Sequence, residues 1–299
     1  MNRDVAFIVV NYNTCGLTEA IIQFFRTVDL PFSHGLVVVD NASTDGSQAM
    51  LEQAQGDQVL YIQTHQNLGY GRGMNRGLEA VSSRYACIMN TDLILNREAL
   101  VALWEFFEGN PEAGVATPVI RWKDGRMQGF LTLPGLCFEY LQTLGGINAR
   151  RWKKKVKTAT GPLRVPGTQG AFFMIRRAMF PERLFDEDFF FYYEDTELAH
   201  RYWRQGIPCF ALPSVSIIHL GGQSTSAEGG KLFQASRRLY IDKCYGPPHT
   251  TWLAGIDRIR IRYKHYKYAF LNSIIKSEKI RAKYEYYGRL ARPQDRIES

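Results

Sequence analysis

Three groups of residues in this chain have the types and neighbours that chemistry requires. The first is Asn90-Thr91-Asp92, which directly follows the apolar run Tyr85 to Met89. A carboxylate just past a buried strand can ligate Mg²⁺ or Mn²⁺ and so hold a diphosphate. It can equally cap the helix that follows. The second is Glu194-Asp195-Thr196-Glu197, preceded by Asp186-Glu187-Asp188 and the ring-rich run Phe189-Phe190-Phe191-Tyr192-Tyr193. An acid at a helix start, walled by aromatic rings, suits a general base that takes a proton from a hydroxyl. The plainer reading makes Asp195 a helix N-cap and leaves Glu194 in solvent, although carboxylates beside so many rings are costly unless paired or used. The third is His219, set between Ile217-Ile218 and Leu220-Gly221-Gly222. A lone histidine after an apolar pair is commonly structural, but two glycines let backbone approach a ligand closely. His219 would complete a metal site with Asp92 if the fold joined them.

The elements that must position these groups are visible in the apolar pattern. Val5 to Val10 is a continuous β-rich run, the mark of a strand buried on both faces. Thr14 to Phe25 has helical spacing, Leu36 to Val39 is a second strand ending at Asp40-Asn41, and Ser43 to Ser47 is turn and cap chemistry before another helix. Val59 to Gln63 reads as a third strand, Asn67 to Gly73 as a glycine-rich loop, and Met74 to Val81 as a helix. Tyr85 to Met89 is a fourth strand, followed by a helix from about Glu98 to Glu108. Such alternation specifies βαβ units and a mainly parallel sheet, whose ligands bind beyond the strand carboxyl ends. Asn11–Thr14, Asp40–Asp45 and Asn90–Asp92 all sit at such ends, so they are predicted to converge. From Val115 the pattern loosens, and residues 121–160 read as a long excursion. Beyond it come a strand-like Ala171 to Ile175, a helix from Thr196 to about Gln205, a short strand from Val215 to His219, and some sixty helical, basic, Tyr-rich residues.

Composition narrows the function classes. The net charge of +8 is concentrated in residues 256–292, where eleven Lys or Arg face three acidic residues; a second basic run spans Arg150 to Lys157. Positive charge so placed attracts phosphates, anionic lipid or nucleic acid. Nucleic acid is disfavoured, because helix-turn-helix and aromatic RNA-binding signatures are missing. The turn after the first strand, Asn11-Tyr12-Asn13-Thr14, carries neither GxGxxG nor a P-loop, which disfavours dinucleotide and ATP binding. Five scattered cysteines without a CxxC pair argue against a disulfide framework or a zinc site. No apolar stretch is long enough to span a bilayer, and the opening residues lack signal-peptide character, so a cytoplasmic protein is expected. Arg258 to Lys264 and the helical stretch after it suit an anionic membrane surface, or else a solvated face or an oligomer contact.

In order along the chain, Ile8 to Thr14, Val37 to Ser47, Asn67 to Asn75, Met89 to Asp92, Gly170-Ala171, Phe185 to Glu187, Glu194 to Leu198 and His219 to Gly222 resemble the family 2 glycosyltransferases, within them the bacterial rhamnosyltransferase-like branch. The resemblance covers roughly residues 5–225. It implies a glycosyltransferase A-type fold: a mainly parallel, Rossmann-like α/β sheet flanked by helices. A catalytic domain is expected over 1–225, its donor half about 1–118 and its acceptor half about 119–225, with a basic helical extension over 226–299. The implied donor is a nucleoside diphosphate sugar, rhamnose by first guess, and the acceptor a glycan or lipid-linked hydroxyl in bacterial polysaccharide synthesis; the basic C-terminal segment, outside the resemblance, would place the chain at the inner face of the cell membrane. Asp40 matches the aspartate that contacts the base, with Asn11 and Asn13 in the same pocket. Asn67, Arg72, Asn75 and Asn90 fall in the matched donor segments. Asp92 is the surviving carboxylate of a DxD metal motif, His219 can join its Mg²⁺ or Mn²⁺, and Asp195 matches the catalytic base, with Glu194 as the fallback. Two other readings stay open: a catalytically silent sugar-nucleotide or glycan-binding protein of this fold, favoured by Asn90, and a nucleotidyltransferase, disfavoured by the missing glycine-rich loop after the first strand.

Overall fold

Alternating side chains of the first strand enter two cores. Val5, Phe7 and Val9 pack on one side of the sheet with Phe25, Leu51 and Phe107, while Ala6 and Ile8 pack on the other with Met74, Leu78 and Leu198. Burial on both faces is what a continuous apolar run requires. The computed structural model describes residues 2–128, 154–180, 183–221, 227–275 and 277–291. Cys137, Arg150 to Lys153 and Gly222 lie outside them; the four described cysteines are free thiols.

The elements run β1 (Asn2–Asn11), α1 (Cys15–Thr27), β2 (His34–Asp40), α2 (Ser47–Ala54), β3 (Val59–Gln63), α3 (Tyr70–Glu79), β4 (Ser82–Met89), β5 (Leu93–Ile94), α4 (Arg97–Gly109), β6 (Val115–Arg121), β7 (Leu163–Arg164), β8 (Phe172–Arg176), α5 (Glu194–Arg204), β9 (Cys209–His219), α6 (Ala227–Tyr245), α7 (Pro247–Ile274) and α8 (Glu278–Ala291). Nine strands form one sheet in the order β3-β2-β1-β4-β8-β6-β9-β5, with β7 paired to β9. The β3-β2-β1-β4 block and the β6-β9 pair are parallel, and β8 runs antiparallel between β4 and β6. The start of β8 therefore lies at the carboxyl end of β4.

Three sequence expectations change. The glycine-rich segment is not a loop up to Gly73, because α3 begins at Tyr70. A Cβ at Gly73 or Gly77 would stand 2.8 or 2.5 Å from Val10 or Ile8, so these glycines let α3 lie directly on β1. Where the pattern loosens after Val115, the chain forms β6, in the middle of the sheet. Pro118 hides this strand in the sequence, and the register with β9 shifts beside it, as a residue without an N–H demands. Finally, β9 begins at Cys209 rather than Val215.

The described residues divide into two compact units, one up to residue 221 and one from 227 onward. In the second, a buried ion pair joins α6 to α7: Arg237 Nη1 donates to both oxygens of Asp257 at 2.8 and 2.9 Å. Tyr268 stacks on Tyr287 and His265 on Tyr284. Among the described residues no helix is long and apolar enough to cross a membrane.

Candidate active site

At the carboxyl ends of β1 and β2, Asn11 stands opposite Asp40 in register. Both are fully buried. The Asn11 amide donates to Asp40 Oδ1 at 2.6 Å and to Ser43 Oγ at 2.9 Å, and its carbonyl accepts from Thr14 and Thr18. The Ser43 hydroxyl and amide both donate to the Asp40 carboxylate. Asn13, in the left-handed region at φ 54°, accepts from the Thr44 amide at 2.7 Å and so ties the two strand-end loops together. A buried polar group is costly unless it is hydrogen-bonded, and these donors meet that need for Asp40.

The next wall comes from α3. The Asn67 carbonyl accepts from the Gly69 amide and from Asn41, whose own amide also reaches the Gly69 carbonyl. The aromatic segment 185–193 then docks on this helix start. Tyr70 N–H donates to the Phe190 carbonyl at 2.9 Å, Arg72 to the Glu187 carbonyl at 2.8 Å, and Asn75 exchanges hydrogen bonds with the Phe185 backbone while reaching Glu187 Oε1. Arg72 and Asn75 thereby clamp the segment that carries the acid pair.

That segment enters α5 through Tyr192 and Tyr193, successive non-glycine residues at φ 68° and 66°. Left-handed backbone at two aromatic residues is strained, and strain of this kind concentrates at functional sites. The helix starts at Glu194 with Tyr193 as its N-cap, so Asp195 is not the cap. Asp195 instead accepts from the Gly170 amide at 2.9 Å and from the Thr196 hydroxyl at 3.1 Å. Glu194 is buried, and its Oε2 finds no hydrogen-bond partner among the described residues. Burial, together with the neighbouring Asp195 charge, pushes the Glu194 carboxyl up to about 8. Burial also raises Asp195, against the opposing pull of its Gly170 and Thr196 donors.

Asp92 follows β4, and His219 ends β9, where Leu93 pairs with His219. His219 Nε2 lies 3.1 Å from Asp92 Oδ1, the Gly221 amide donates to Asp92 Oδ2 at 3.0 Å, and the Leu220 amide donates to the Asp92 carbonyl. Gln128 holds His219 Nδ1 at 3.0 Å and Trp122 stacks flat on the imidazole. Burial works to raise the Asp92 carboxyl, but the His219 hydrogen bond and charge, helped by the Gly221 N–H, outweigh it and hold the group below its ordinary range. One carboxylate and one imidazole fit a divalent cation whose other ligands are diphosphate oxygens and water. Among the described residues no set of three His, Cys, Asp or Glu gathers to cage an ion without a substrate.

Tyr70 links these groups. Its hydroxyl donates to the Gly170 carbonyl at 2.9 Å, while the Gly170 amide holds Asp195. One residue on, the Ala171 carbonyl accepts from the Asn90 amide, two residues before Asp92. Burial, then the negative fields of Glu194, Asp195 and Asp92, push the Tyr70 hydroxyl well up. The structure thus brings Asn11, Asn13 and Asp40 together in one corner, Asp92 with His219 in a second, and Glu194 with Asp195 in a third. Gln128 and Trp122 were not named from sequence, and Tyr70, Gly170, Asn41 and Ser43 stood inside matched segments with no role assigned; the aromatic residue in the glycine-rich loop was the one available signal for Tyr70.

Comparison with known proteins bears on the family and the fold. Residues 7–184 match the model of glycosyl transferase family 2. The chain is 23% identical over 267 residues to the low-salt glycan biosynthesis hexosyltransferase Agl10 of Haloferax volcanii, covering 87% of this chain and 80% of that protein. Among solved structures, it is similar to the mannosyltransferase PcManGT of Pyrobaculum calidifontis in complex with GDP-Man and Mn²⁺, with TM-score 0.58, 14% identity, and 97% and 85% of the two chains covered. It is also similar to GalNAc-T7 with UDP, GalNAc and Mn²⁺, with TM-score 0.62, 13% identity, and 96% and 54% covered. The mixed, mostly parallel sheet flanked by helices is the glycosyltransferase A-type fold, and the chain is a glycosyltransferase that belongs to family 2.

Proposed function

We propose that the chain transfers a hexose-type sugar, rhamnose being the first candidate, from a nucleoside diphosphate donor to a hydroxyl of a glycan or lipid-linked acceptor, with inversion at the anomeric carbon. The observation that carries this reading is the Tyr70–Gly170 bridge, which sets Asp195 beside the strand ends that bear Asp92. The solved relatives were captured with GDP-Man or UDP and Mn²⁺, which supports a sugar-nucleotide donor and a divalent ion here.

Asp195 is the base. Its carboxylate is oriented by Gly170 and Thr196, and its raised proton affinity favours taking a proton from the acceptor hydroxyl. Glu194 holds its proton to about 8, because burial and the adjacent Asp195 charge outweigh its one backbone donor and Oε2 has no partner. Burial and mutual repulsion raise both acids, and the donors from Gly170 and Thr196 favour the charge on Asp195 over its neighbour. Asp40 with Asn11 and Asn13 shapes the pocket for the nucleoside, and Asp92 and His219 would hold Mg²⁺ or Mn²⁺ against the diphosphate. Bound there, the ion supplies charge neutralisation for the leaving group.

A donor panel with Mg²⁺ or Mn²⁺, with and without chelator, tests this by nucleoside diphosphate release. Release that needs both a divalent ion and an acceptor is expected. Asp92→Ala is expected to weaken ion-dependent donor binding by at least about tenfold. Unchanged release in chelator, or unchanged binding by the Asp92 variant, would remove the metal role.

A further inference from the structure

The helical unit carries a feature that the transferase reading does not use. Along α7, Trp252, Ile259, Tyr263, Tyr266, Phe270 and Ile274 are 62–72% exposed. At 3.6 residues per turn they fall within about 80° of one another, and they run for about 33 Å along the axis. The opposite face of the same helix is the packed one: Leu253 and Asp257 are buried there, and Lys264 donates to the Tyr287 hydroxyl of α8. So one face of this helix is packed within its unit, while the aromatic stripe stays exposed among the described residues.

Charge selects the occupant of the open face. Arg260 and Lys267 flank the stripe on one side and Arg262 on the other. The single acidic residue of α7, Asp257, is consumed by its buried pair with Arg237. A second copy of this helix laid on the stripe, parallel or antiparallel, would bring these flanking cations against their own kind. An anionic lipid surface meets the same cations with opposite charge. Trp and Tyr rings favour the headgroup boundary, and Arg and Lys stems reach over apolar surface to phosphates.

We propose that the exposed face of α7 docks in the plane of an anionic lipid bilayer, with the aromatic stripe at the acyl boundary and Arg260, Arg262 and Lys267 on lipid phosphates. The inference rests on this helix alone and stands or falls separately from the transfer chemistry.

Flotation of the full chain with vesicles of phosphatidylcholine, with or without phosphatidylglycerol, tests it. Binding to the anionic vesicles and not to the neutral ones is expected. At about one kcal/mol for each cation, Arg260→Gln, Arg262→Gln and Lys267→Gln combined should weaken partitioning about 100-fold. Trp252→Ser with Phe270→Ser should weaken it at least about tenfold. Because the stripe is exposed, both variants should keep the wild-type urea midpoint. In the unaltered chain, brominated lipid should quench a tryptophan signal that disappears in Trp252→Phe. Equal binding to neutral vesicles, absence of quenching, or partitioning unaffected by these substitutions would overturn the proposal. So would a self-association by sedimentation that Trp252→Ser with Phe270→Ser abolishes, which would assign the stripe to a second copy.

Discussion

Around Asn11 and Asp40 every polar side-chain atom is paired, whereas around Glu194 one buried oxygen is not. The two regions sit at the same mouth of one sheet, yet the first is closed by its own hydrogen bonds and the second is held by its neighbours. Asn11 and Asp40 occupy consecutive parallel strands, where the ladder itself sets their distance. Glu194 and Asp195 follow two residues in left-handed backbone and depend on clamps from α3 and the start of β8. A self-satisfied corner can bind without rearranging. A clamped acid with an unpaired neighbour keeps the raised proton affinity that a base requires.

The contrast can be broken from either side. Asn11→Ala would take one donor from Asp40, which keeps Ser43, and the shared acceptor from Thr14 and Thr18, so a loss of about 2–3 kcal/mol in urea unfolding is expected. A loss under about 0.5 kcal/mol would show that the corner is not closed by its own bonds. Gly69→Ala attacks the clamp. Gly69 has φ 85°, and a Cβ there would stand 2.2 Å from the Phe190 carbonyl oxygen. A loss of about 1–3 kcal/mol is expected, with easier proteolysis within 185–193. Stability unchanged in this variant would mean that the aromatic segment is not seated on α3. Glu194→Gln should do the least harm and sharpen the comparison most through pH. The folded chain keeps the Glu194 proton up to about 8, while the unfolded chain releases it near the ordinary value of 4.5. Folding therefore binds a proton between these values, and the stability from Glu194 falls as pH rises through that window. The Gln variant should lack this fall and gain on the parent by about 1 kcal/mol or more at pH 9, read from melting at pH 5 and 9. Parallel curves would place an ordinary carboxyl at Glu194.

Much of this arrangement was legible in the residues. The runs in β1, β2 and β4 are long enough to identify buried parallel strands, and parallel strands put Asn11, Asp40 and Asn90 at one edge by geometry alone. What failed did so for local reasons. Pro118 disguised a central strand, and the glycines of α3 imitated a loop although they serve close packing on β1. The pairing of Asp92 with His219 spans 127 positions; the residue types raised it only as a condition on the fold, and the resemblance supplied the match. Gly170 stood in the matched pair Gly170-Ala171, but its role toward Asp195 is carried by a backbone amide and leaves no trace in side-chain chemistry.

The central claim is that Asp195 takes the acceptor proton in a pocket that binds its donor independently. Asp195→Asn keeps the size of the side chain and removes its basicity. Calorimetry with the sugar nucleotide and Mn²⁺, alongside acceptor-dependent release of nucleoside diphosphate, separates the two roles. Donor affinity within about twofold of the parent, with release slowed at least about 100-fold, is the predicted result. Release at the parental rate would contradict the account.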